Sequence, residues 1–487
     1  MRLGELLRDI AIESLDGDPE LAIAEVRDDS RLVGAGDLFV ALPGLTVDGH
    51  DFVRQAAARG AAAVVTERPV EFPGAVARVA SAARALGGIA ANRHGRACEA
   101  LKLVGVTGTN GKTTTTYLIE SILRAGGARP GVVGTVSYRP GGAARPAPMT
   151  TPSALALHAL FAEMRDARCD HAVLEVSSHA LAQGRVAGLR FRAAVFTNLT
   201  QDHLDFHGTM ERYFHAKARL FSEHLAGDAI VAIDAPGGAR MAALAEAAGR
   251  GRVLRCAVRG DADLRATSFR STIEGLEAAV TTPIGPIAIR SPLVGDYNLA
   301  NVLCAVGVGV ALGLSASAME RGVASLGGVP GRLERVPNAR GVHVFVDYAH
   351  TPDALERATA ALRPLTAGRL IVVFGCGGDR DRGKRPLMGE AVARYADVAV
   401  VTSDNPRTEE PQVIVDEILV GVRRAGPREL HVVLDRREAI RQASALARPG
   451  DTLLIAGKGH EDYQIVGKTK LPFDDREETR AAFEALA

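Results

Sequence analysis

The sequence has no tryptophan and only five cysteines among its 487 residues. The cysteines are Cys98, Cys169, Cys256, Cys304 and Cys376, and no two of them form a C-x-x-C pair. This scattered spacing argues against a disulfide framework and against a zinc site. It favours free thiols in a reducing compartment.

The chain also lacks an excess of either charge and any long hydrophobic run. Its 58 Lys and Arg residues almost balance its 57 Asp and Glu residues, so the net charge of +1 gives no reason to expect a nucleic-acid partner. No run of about 18 uninterrupted apolar residues occurs, so we expect no membrane span. The opening segment MRLGELLRDIAIESL carries charges throughout its apolar pattern, which predicts a short amphipathic helix and not a signal peptide. We therefore expect a cytoplasmic protein, and we expect it to be a monomer.

What is present suits a globular protein of about three domains at roughly 150 residues each. Strand-like apolar runs alternate with helical stretches, which is typical of an α/β fold with parallel sheets and crossover helices. We predict a small N-terminal α/β domain (1–98), a central parallel-sheet domain (99–328) and a C-terminal Rossmann-like domain (329–487). Within them we expect a helix over 78–96 and a flexible loop over 139–148.

The stretch VGVTGTNGKTTTT, at 104–116, predicts a nucleotide-binding loop. Its end fits the pattern G-x-x-x-x-G-K-[ST], although Val106 stands at the first glycine position. A strand ends near Thr107 and a helix begins near Thr113, and backbone N–H groups at such a helix start form an anion site. Lys112 can reach the outer phosphates, and a threonine hydroxyl can reach Mg²⁺.

Two further side chains follow apolar runs that we interpret as buried strands. They are Glu175, after HAVLE, and His203, after AAVFTNLT. Open α/β sheets place ligands at strand ends, so a carboxylate and an imidazole there could hold Mg²⁺. A histidine is more often a surface or core residue, and His207 and His215 keep that interpretation.

The segment TGTNGKTTT resembles the ATP loop of the Mur ligases, the amide-forming enzymes that build the peptidoglycan precursor, and the folylpolyglutamate synthetases carry a related loop. The resemblance continues along the chain, in the segments DDSRLVGAGDLFVAL (28–42), MTTPSAL (149–155), LEVSSHALAQGRV (174–186), TNLTQDHLDFHGTMERYFHAKARLF (197–221), GDYNLANVLCA (295–305), GRLERV (331–336), VDYAHTPDAL (346–355) and SDNPRTEEP (403–411). It implies an ATP-dependent ligase that adds meso-2,6-diaminopimelate to the D-glutamate of UDP-N-acetylmuramoyl-L-Ala-D-Glu through an acyl phosphate.

The resemblance assigns roles in handling ATP and the metal. It implies ATP contacts at Gly108, Thr109, Asn110, Gly111, Lys112, Thr113, Thr114, Asn298, Asn301, Arg332 and Asp347. It implies Mg²⁺ ligation by Thr113, Glu175 and His203, and catalytic roles for Lys112, Glu175, His203 and Lys217. In the family the lysine that matches Lys217 is carbamylated by CO₂, which turns a cation into an anion that supports the metal.

The resemblance also assigns the two other substrates. The UDP-muramoyl peptide would be held by Ser30, Thr150, Thr151, Ser177, Gln183 and Arg185. Diaminopimelate would be held by Arg380, Asp404, Asn405, Pro406, Arg407, Gly457 and Glu461. Arg407 offers a fork for the far carboxylate of diaminopimelate, and Glu461 suits its far ammonium. Members of the family that add lysine carry another residue at the place of Arg407, because lysine lacks that carboxylate and would leave the arginine unpaired.

Three alternatives stay open. A sibling ligase would add lysine or D-Ala-D-Ala, and Arg407 and Arg380 argue against both. A folylpolyglutamate synthetase would not need the first ~100 residues as a uridine-binding domain. A regulatory ATP-binding protein would bind or hydrolyse ATP without depending on an amino acid.

Overall fold

The computed structural model describes residues 1–44, 47–142 and 144–486. Contacts divide the chain into two compact units. The first holds 1–265, 282–285 and 301–322, and the second holds 266–281, 286–300 and 323–487. No helix in the described ranges combines the length and apolar character that a bilayer span requires.

The first unit begins with a five-stranded sheet. Its strands lie in the spatial order Ile12–Asp16, Ala75–Val79, Ala63–Thr66, Leu38–Val40 and Val26–Arg27. The first pair is antiparallel and the other three pairs are parallel. The helices of this segment are Leu3–Leu6, Val53–Ala58 and Ala82–Arg93. Leu6, Leu38 and Ile89 belong to the apolar core beneath the sheet.

Two expectations for this segment were wrong. The predicted N-terminal helix is only Leu3–Leu6, because the residues after it form the strand Ile12–Asp16, which gains ladder hydrogen bonds by pairing with Ala75–Val79. The helix expected over 78–96 is shorter for the same reason. Its first residues belong to the strand Ala75–Val79, and the helix begins at Ala82 after the N-cap Ser81.

A second sheet forms the centre of the first unit. The strands of this sheet that lie wholly in the first unit occur in the order Val253–Ala257, Leu225–Ala232, Phe191–Phe196, Lys102–Thr107, His171–Glu175, Pro130–Val133, Ser137–Arg139 and Arg145–Pro146. The first six are parallel. The helices that follow these strands are Lys112–Ala125, Ala154–Asp166, Ser178–Ala182, Leu204–His207, Met210–Arg219 and Gly238–Ala248. Parallel order brings the ends of the strands Lys102–Thr107, His171–Glu175 and Phe191–Phe196 to one edge.

Among its described residues, the loop expected over 139–148 is paired only near Arg139 and at Arg145–Pro146. Ser137–Arg139 pairs antiparallel with Pro130–Val133 and with Arg145–Pro146. Two hydrogen bonds support this turn. Arg139 donates through Nη1 to the hydroxyl oxygen of Tyr117 at 3.0 Å, and Tyr138 donates its hydroxyl to the carbonyl oxygen of Met149. Residue 143 of the expected loop lies outside the described residues.

The second unit contains a six-stranded sheet. Its strands lie in the order Glu334–Arg335, His343–Asp347, Thr452–Ala456, Leu370–Phe374, Val398–Val401 and Glu429–Val432, and only the first pair is antiparallel. The helices are Pro352–Leu362, Lys384–Ala393, Pro411–Ala425, Arg436–Leu446 and Asp475–Glu484, and Tyr463–Val466 pairs with Thr469–Pro472 as a hairpin. Phe345 lies in one apolar core and its neighbours Val344 and Val346 in another, so this strand is covered on both faces.

Between these sheets in sequence lie the strands Leu264–Thr272, Gly275–Thr282 and Gly285–Ser291 and the helices Tyr297–Ala311 and Ala316–Ala324. These five elements complete the α-helices and β-strands of the described residues. The predicted α/β class, with parallel sheets covered by crossover helices, is confirmed.

Candidate functional site

The loop after Lys102–Thr107 has two glycine positions that no other residue fits. Gly108 has φ of +150°, and a Cβ on it would lie 1.9 Å from Oγ1 of Thr197. Gly111 has φ of +84°, and a Cβ on it would lie 2.3 Å from Oδ1 of Asn301. This loop therefore places its glycine at 108, inside the turn, and Val106 can remain a buried strand residue.

The loop is fixed by the neighbouring strand end. Thr197 donates its hydroxyl to the carbonyl oxygen of Asn110 at 2.6 Å, and Asn198 accepts the N–H of Asn110 at 3.0 Å through Oδ1. Thr109 Oγ1 accepts the N–H of Thr200 at 3.0 Å. These bonds hold the loop at the start of the helix Lys112–Ala125, where backbone N–H groups suit an anion.

Two lysines converge on one backbone oxygen of this loop. Lys112 donates through Nζ to the carbonyl oxygens of Gly108 at 3.0 Å and Thr109 at 2.9 Å, and Lys217 donates to that of Gly108 at 2.8 Å. Lys217 is fully buried on the helix Met210–Arg219, and its Nζ lies 4.5 Å from the ring centre of Tyr213. Burial, with a smaller effect of Lys112, holds the pKa of Lys217 well below its usual value. The buried amine is therefore predisposed to be uncharged.

Glu175 is a buried carboxylate held by neutral donors. Oε1 accepts the N–H of Thr135 at 3.0 Å, and Oε2 accepts the hydroxyls of Thr113 at 3.1 Å and Thr135 at 2.8 Å. A Cβ on Gly134 would lie 2.4 Å from Oε1, so the strand end approaches the carboxylate closely. The hydroxyl and carboxylate oxygens are the hard donors that Mg²⁺ prefers, so the pair of Thr113 and Glu175 fits this ion. Sequence reasoning missed Thr135, which carries no motif of its own.

His203 does not join this pair. It has φ of +54°, and its ring lies 3.4 Å from Asp202 Oδ2 and faces His179 at a centroid distance of 4.8 Å. Burial lowers the pKa of His203. Within the described residues no group of three or more His, Cys, Asp or Glu side chains is arranged to hold a metal ion. The structure therefore joins two of the three predicted ligands.

The histidines that we interpreted as ordinary residues have local partners. His207 is buried with Nε2 2.9 Å from Oγ of Ser178, and burial lowers the pKa of His207 to about 4. His215 is exposed and pairs with Glu211 one helical turn away.

Four of the residues expected to bind the muramoyl peptide surround Glu175. Thr151 donates its hydroxyl to the carbonyl oxygen of Glu175 at 2.7 Å, and Ser177 N–H binds that hydroxyl at 3.0 Å. Thr150 Oγ1 lies 3.1 Å from Thr135 Oγ1, and Arg185 donates to the carbonyl oxygen of Thr151 at 2.8 Å. Ser177 also caps the helix Ser178–Ala182, so part of its role is structural.

The other two residues of that set have different local surroundings. Ser30 is buried near the first sheet and donates its hydroxyl to Gln55 at 3.2 Å. Gln183 is exposed at the end of the helix Ser178–Ala182. Asp28, two residues before Ser30, interacts electrostatically with Arg185.

The residues expected to bind ATP occur in both units. In the first, Asn301 accepts the hydroxyl of Thr115 at 3.3 Å. In the second, Asp347 at a strand end accepts the N–H groups of Leu333 at 2.6 Å and of Ala349 at 2.8 Å, and burial raises the pKa of its carboxyl. There, too, the guanidinium of Arg332 lies 5.0 Å from the ring centre of Tyr348. Asn298 donates to the carbonyl oxygen of Val294 at 2.8 Å.

The DNPR segment and the loop after Thr452–Ala456 meet in the second unit. Asn405 donates through Nδ2 to Glu461 at 3.1 Å, and Arg407 donates through Nη1 to the carbonyl oxygen of Gly378 at 2.7 Å. Burial raises the pKa of Glu461, although Arg407 acts in the opposite direction. Arg380 is exposed, and it donates to the carbonyl oxygen of Asp379 at 3.0 Å.

The remaining predicted members of this group lie close by. Asp404 is buried beside Asn405, and Gly457, with φ of +122°, would place a Cβ 3.8 Å from Oδ1 of Asp404. Pro406 continues the turn, and its carbonyl oxygen lies against Gly378.

Sequence reasoning missed one central residue of this group. Lys458 is fully buried and donates through Nζ to Asn405 Oδ1 at 2.9 Å and to the carbonyl oxygen of Tyr463 at 2.8 Å. Its Nζ also lies 3.4 Å from Asp404 Oδ1. The available signal was a lysine between Gly457 and Gly459 immediately after a buried strand.

Three protein-family models match successive parts of the chain. The Mur ligase family, catalytic domain, matches 22–94, and the Mur ligase middle domain matches 106–309. The Mur ligase, glutamate ligase domain, matches 331–459.

Curated relatives match over nearly their full length. A UDP-N-acetylmuramoyl-L-alanyl-D-glutamate–2,6-diaminopimelate ligase of Gloeobacter violaceus is 50% identical over 99% of this chain and 98% of its own. A protein of the same name from Geobacter metallireducens is 47% identical over 100% of this chain and 99% of its own. A solved structure of a ligase of that name is 33% identical, with a TM-score of 0.72, over 100% of this chain and 99% of that one.

Proposed function

Because the chain belongs to the Mur ligase family, we propose that it is the ATP-dependent ligase that adds meso-2,6-diaminopimelate to UDP-N-acetylmuramoyl-L-Ala-D-Glu. The observation that carries this proposal is the sequence identity of 47–50%, over practically the whole chain, to proteins named UDP-N-acetylmuramoyl-L-alanyl-D-glutamate–2,6-diaminopimelate ligase. The reaction forms an amide at the D-glutamate and releases ADP and phosphate. We place it in the cytoplasm, in the synthesis of the peptidoglycan precursor.

The domain roles follow the chain order. Residues 1–98 bind the UDP part of the muramoyl substrate, residues 99–328 bind ATP, and residues 329–487 bind the incoming amino acid. Ser30 supports the first role as a buried hydroxyl near the first sheet. The rigid loop around Gly108 and Gly111 supports the second.

In the first step the glutamate carboxylate attacks the γ-phosphate of ATP, giving an acyl phosphate and ADP. Lys112 and the N–H groups at the start of Lys112–Ala125 orient and neutralise the phosphates. Thr113 and Glu175 would hold Mg²⁺, with His203 as the third predicted ligand, and the bound ion would neutralise phosphate charge. The polar group of Thr150, Thr151, Ser177 and Arg185 beside Glu175 would position the muramoyl peptide.

In the second step the amine of diaminopimelate attacks the acyl carbon, and the C–N bond forms as phosphate leaves. The far end of the amino acid carries a carboxylate and an ammonium, which need groups of opposite sign. Arg407 is suited to the carboxylate and Glu461 to the ammonium, with Asn405 beside Glu461. This arrangement favours diaminopimelate over lysine, which would leave the arginine unpaired.

Lys217 carries a CO₂-derived carbamate in this proposal. An uncharged amine attacks CO₂, an N–C bond forms and a proton leaves, so the side chain becomes an anion. The complete burial of Lys217 and its lowered pKa support this chemistry, because they favour the uncharged amine.

The test is phosphate release from ATP and Mg²⁺ in the presence of UDP-N-acetylmuramoyl-L-Ala-D-Glu, with meso-diaminopimelate, L-lysine or no amino acid in parallel. We expect release that requires both the muramoyl substrate and diaminopimelate. Release only with lysine would refute the amino-acid assignment. Release that ignores the muramoyl substrate would refute the ligase assignment.

A further inference from the structure

Lys458 lies where two loops meet, and both loops belong to the site that we propose binds the incoming amino acid. It follows the strand Thr452–Ala456, and its side chain has no exposed surface. We propose that Lys458 is a positioning residue that fixes Asn405 and Glu461 and so sets the affinity for the amino acid without touching it. This inference rests on the proposed function, because it takes Asn405 and Glu461 as groups that hold the amino acid.

The ammonium of Lys458 is directed at protein acceptors. It donates to Asn405 Oδ1 at 2.9 Å and to the carbonyl oxygen of Tyr463 at 2.8 Å, and it lies 3.4 Å from Asp404 Oδ1. An ammonium has three donors: two form these hydrogen bonds, and Asp404 lies within ion-pair distance of the same nitrogen. Lys458 therefore serves to join two loops and is not oriented toward a ligand.

These contacts decide which way the amide of Asn405 faces. Its Oδ1 receives Lys458 Nζ at 2.9 Å and the N–H of Ile465 at 2.9 Å, and both groups can only donate. The amide nitrogen must then face the other way, where it donates to Glu461 Oε2 at 3.1 Å. A reversed amide would set its NH₂ group against two donors. Lys458 and the N–H of Ile465 together hold the amide orientation, and with it the contact to Glu461.

The charge of Lys458 also separates two buried carboxylates. Burial alone would raise the pKa of Asp404, but Lys458 and Arg436 hold it below its ordinary value. Burial raises the pKa of Glu461, Asp404 raises it further, and Lys458, 4.0 Å from its carboxylate, opposes them. Without the ammonium, one of the two carboxyls would more readily take up a proton. A protonated Glu461 would hold a substrate ammonium poorly.

The test is steady-state kinetics of Lys458→Met, an apolar side chain of similar length. We expect the KM for the amino acid to rise roughly 10- to 100-fold, as for removal of one partner of a buried charged hydrogen bond. The KM values for ATP and the muramoyl substrate should stay within about twofold, which is small against that change. A purely structural role would instead lower the active fraction, so kcat would fall and all three KM values would stay the same.

A matched control is Arg369→Met. Arg369 pairs with the buried Asp451 at 2.9 Å and precedes the strand Leu370–Phe374, so it lies at the opposite end of the same sheet. This variant loses a charged contact of the same unit and should leave the KM for the amino acid unchanged. If both variants raise that KM equally, the proposal is wrong.

A double-mutant cycle tests whether Lys458 acts through Asn405. In the background of Asn405→Ala, Lys458→Met should raise the KM for the amino acid less than it does alone, because only its direct charge effect on Glu461 remains. Additive effects would overturn the proposal. If Lys458→Met does not fold, Lys458→Gln is measured instead, and it should show a smaller rise because its amide can still donate to Asn405.

The wild-type protein separates the two hypotheses. Turnover of the wild type with diaminopimelate, lysine or D-Ala-D-Ala identifies the amino acid and tests the proposed function alone. The KM ratio of variant to wild type, for whichever amino acid is used, tests Lys458. A wild type that prefers lysine would refute the proposed function, and an unchanged KM in Lys458→Met would refute the inference.

Discussion

Replacing Lys217 with methionine should stabilise the fold and abolish the activity. In the unmodified protein the Lys217 amine is fully buried, and its hydrogen-bond acceptor is the backbone oxygen of Gly108 and not a carboxylate. Burial holds the pKa of this amine well below its usual value, so folding at neutral pH costs free energy to remove its proton or to desolvate its charge. Methionine avoids this cost but loses one hydrogen bond, worth about 1 kcal/mol. The net stabilisation should be about 1–2 kcal/mol, within the range for replacing buried charges by apolar groups.

The assay compares wild type and Lys217→Met in buffer depleted of CO₂, so that the wild-type amine is unmodified. The midpoint of thermal unfolding should rise by roughly 2–4 °C. Phosphate release with all substrates and added bicarbonate should fall at least ~100-fold, the size expected for removing a charge at a phosphoryl-transfer centre. Lys102→Met, on an exposed lysine, is the control and should change stability by less than about 0.5 kcal/mol.

Two results would refute this reasoning. A variant that unfolds at a lower temperature than CO₂-depleted wild type would show that the contacts of the Lys217 amine outweigh the cost of burying it. A variant that keeps its activity would show that Lys217 has no part in catalysis. Bicarbonate should raise the activity of the wild type only, since methionine has no amine.

Three further predictions concern other parts of the chain. Glu175→Gln should lower kcat at least ~100-fold, because it removes the charge of a carboxylate that Thr113 and Thr135 hold in place. A fall of less than tenfold in the rate of phosphate release would contradict this role. Arg407→Ala should raise the KM for diaminopimelate by roughly 10- to 100-fold and reduce the preference for diaminopimelate over lysine. An unchanged preference would refute the proposal that Arg407 binds the far carboxylate of diaminopimelate. His158→Leu should make the protein less sensitive to acid. His158 is buried, and burial lowers its pKa to about 4 from 6.5, so the unfolded chain takes up the proton first. The free energy of unfolding therefore falls by up to about 3 kcal/mol as the pH falls from 6.5 to about 4. The midpoints of thermal unfolding at pH 7 and pH 5 should differ more for wild type than for the variant.

The sequence predicted which side chains lie at strand ends better than it predicted their individual contacts. Glu175 and Asp347 follow apolar runs, and parallel pairing places both at the ends of buried strands. The predicted N-terminal helix was too long, because short apolar patterns fit a helix or a strand. Only the pairing of Ile12–Asp16 with the distant strand Ala75–Val79 decides between the two. Lys458 was missed because a lysine is usually exposed, and its burial depends on Asn405, more than fifty residues earlier.

His203 shows where the interpretation from the motif remains a prediction. The motif assigns it to the metal with Glu175, whereas the structure sets its ring beside Asp202 and His179. The orientation of an exposed imidazole depends on contacts that a sequence pattern does not specify. Thr113 and Glu175 are adjacent because a helix start and a strand end of the same sheet edge bring them together.

The bond between Asn405 and Pro406 has a consequence for the chemical durability of the protein. Asparagine side chains age by deamidation, in which the backbone nitrogen of the next residue loses its proton and attacks the side-chain carbonyl carbon to close a succinimide ring. Proline has no N–H, so this route is closed at Asn405. The amide that joins Lys458 to Glu461 is thus protected, by the identity of its neighbour, from becoming a carboxylate.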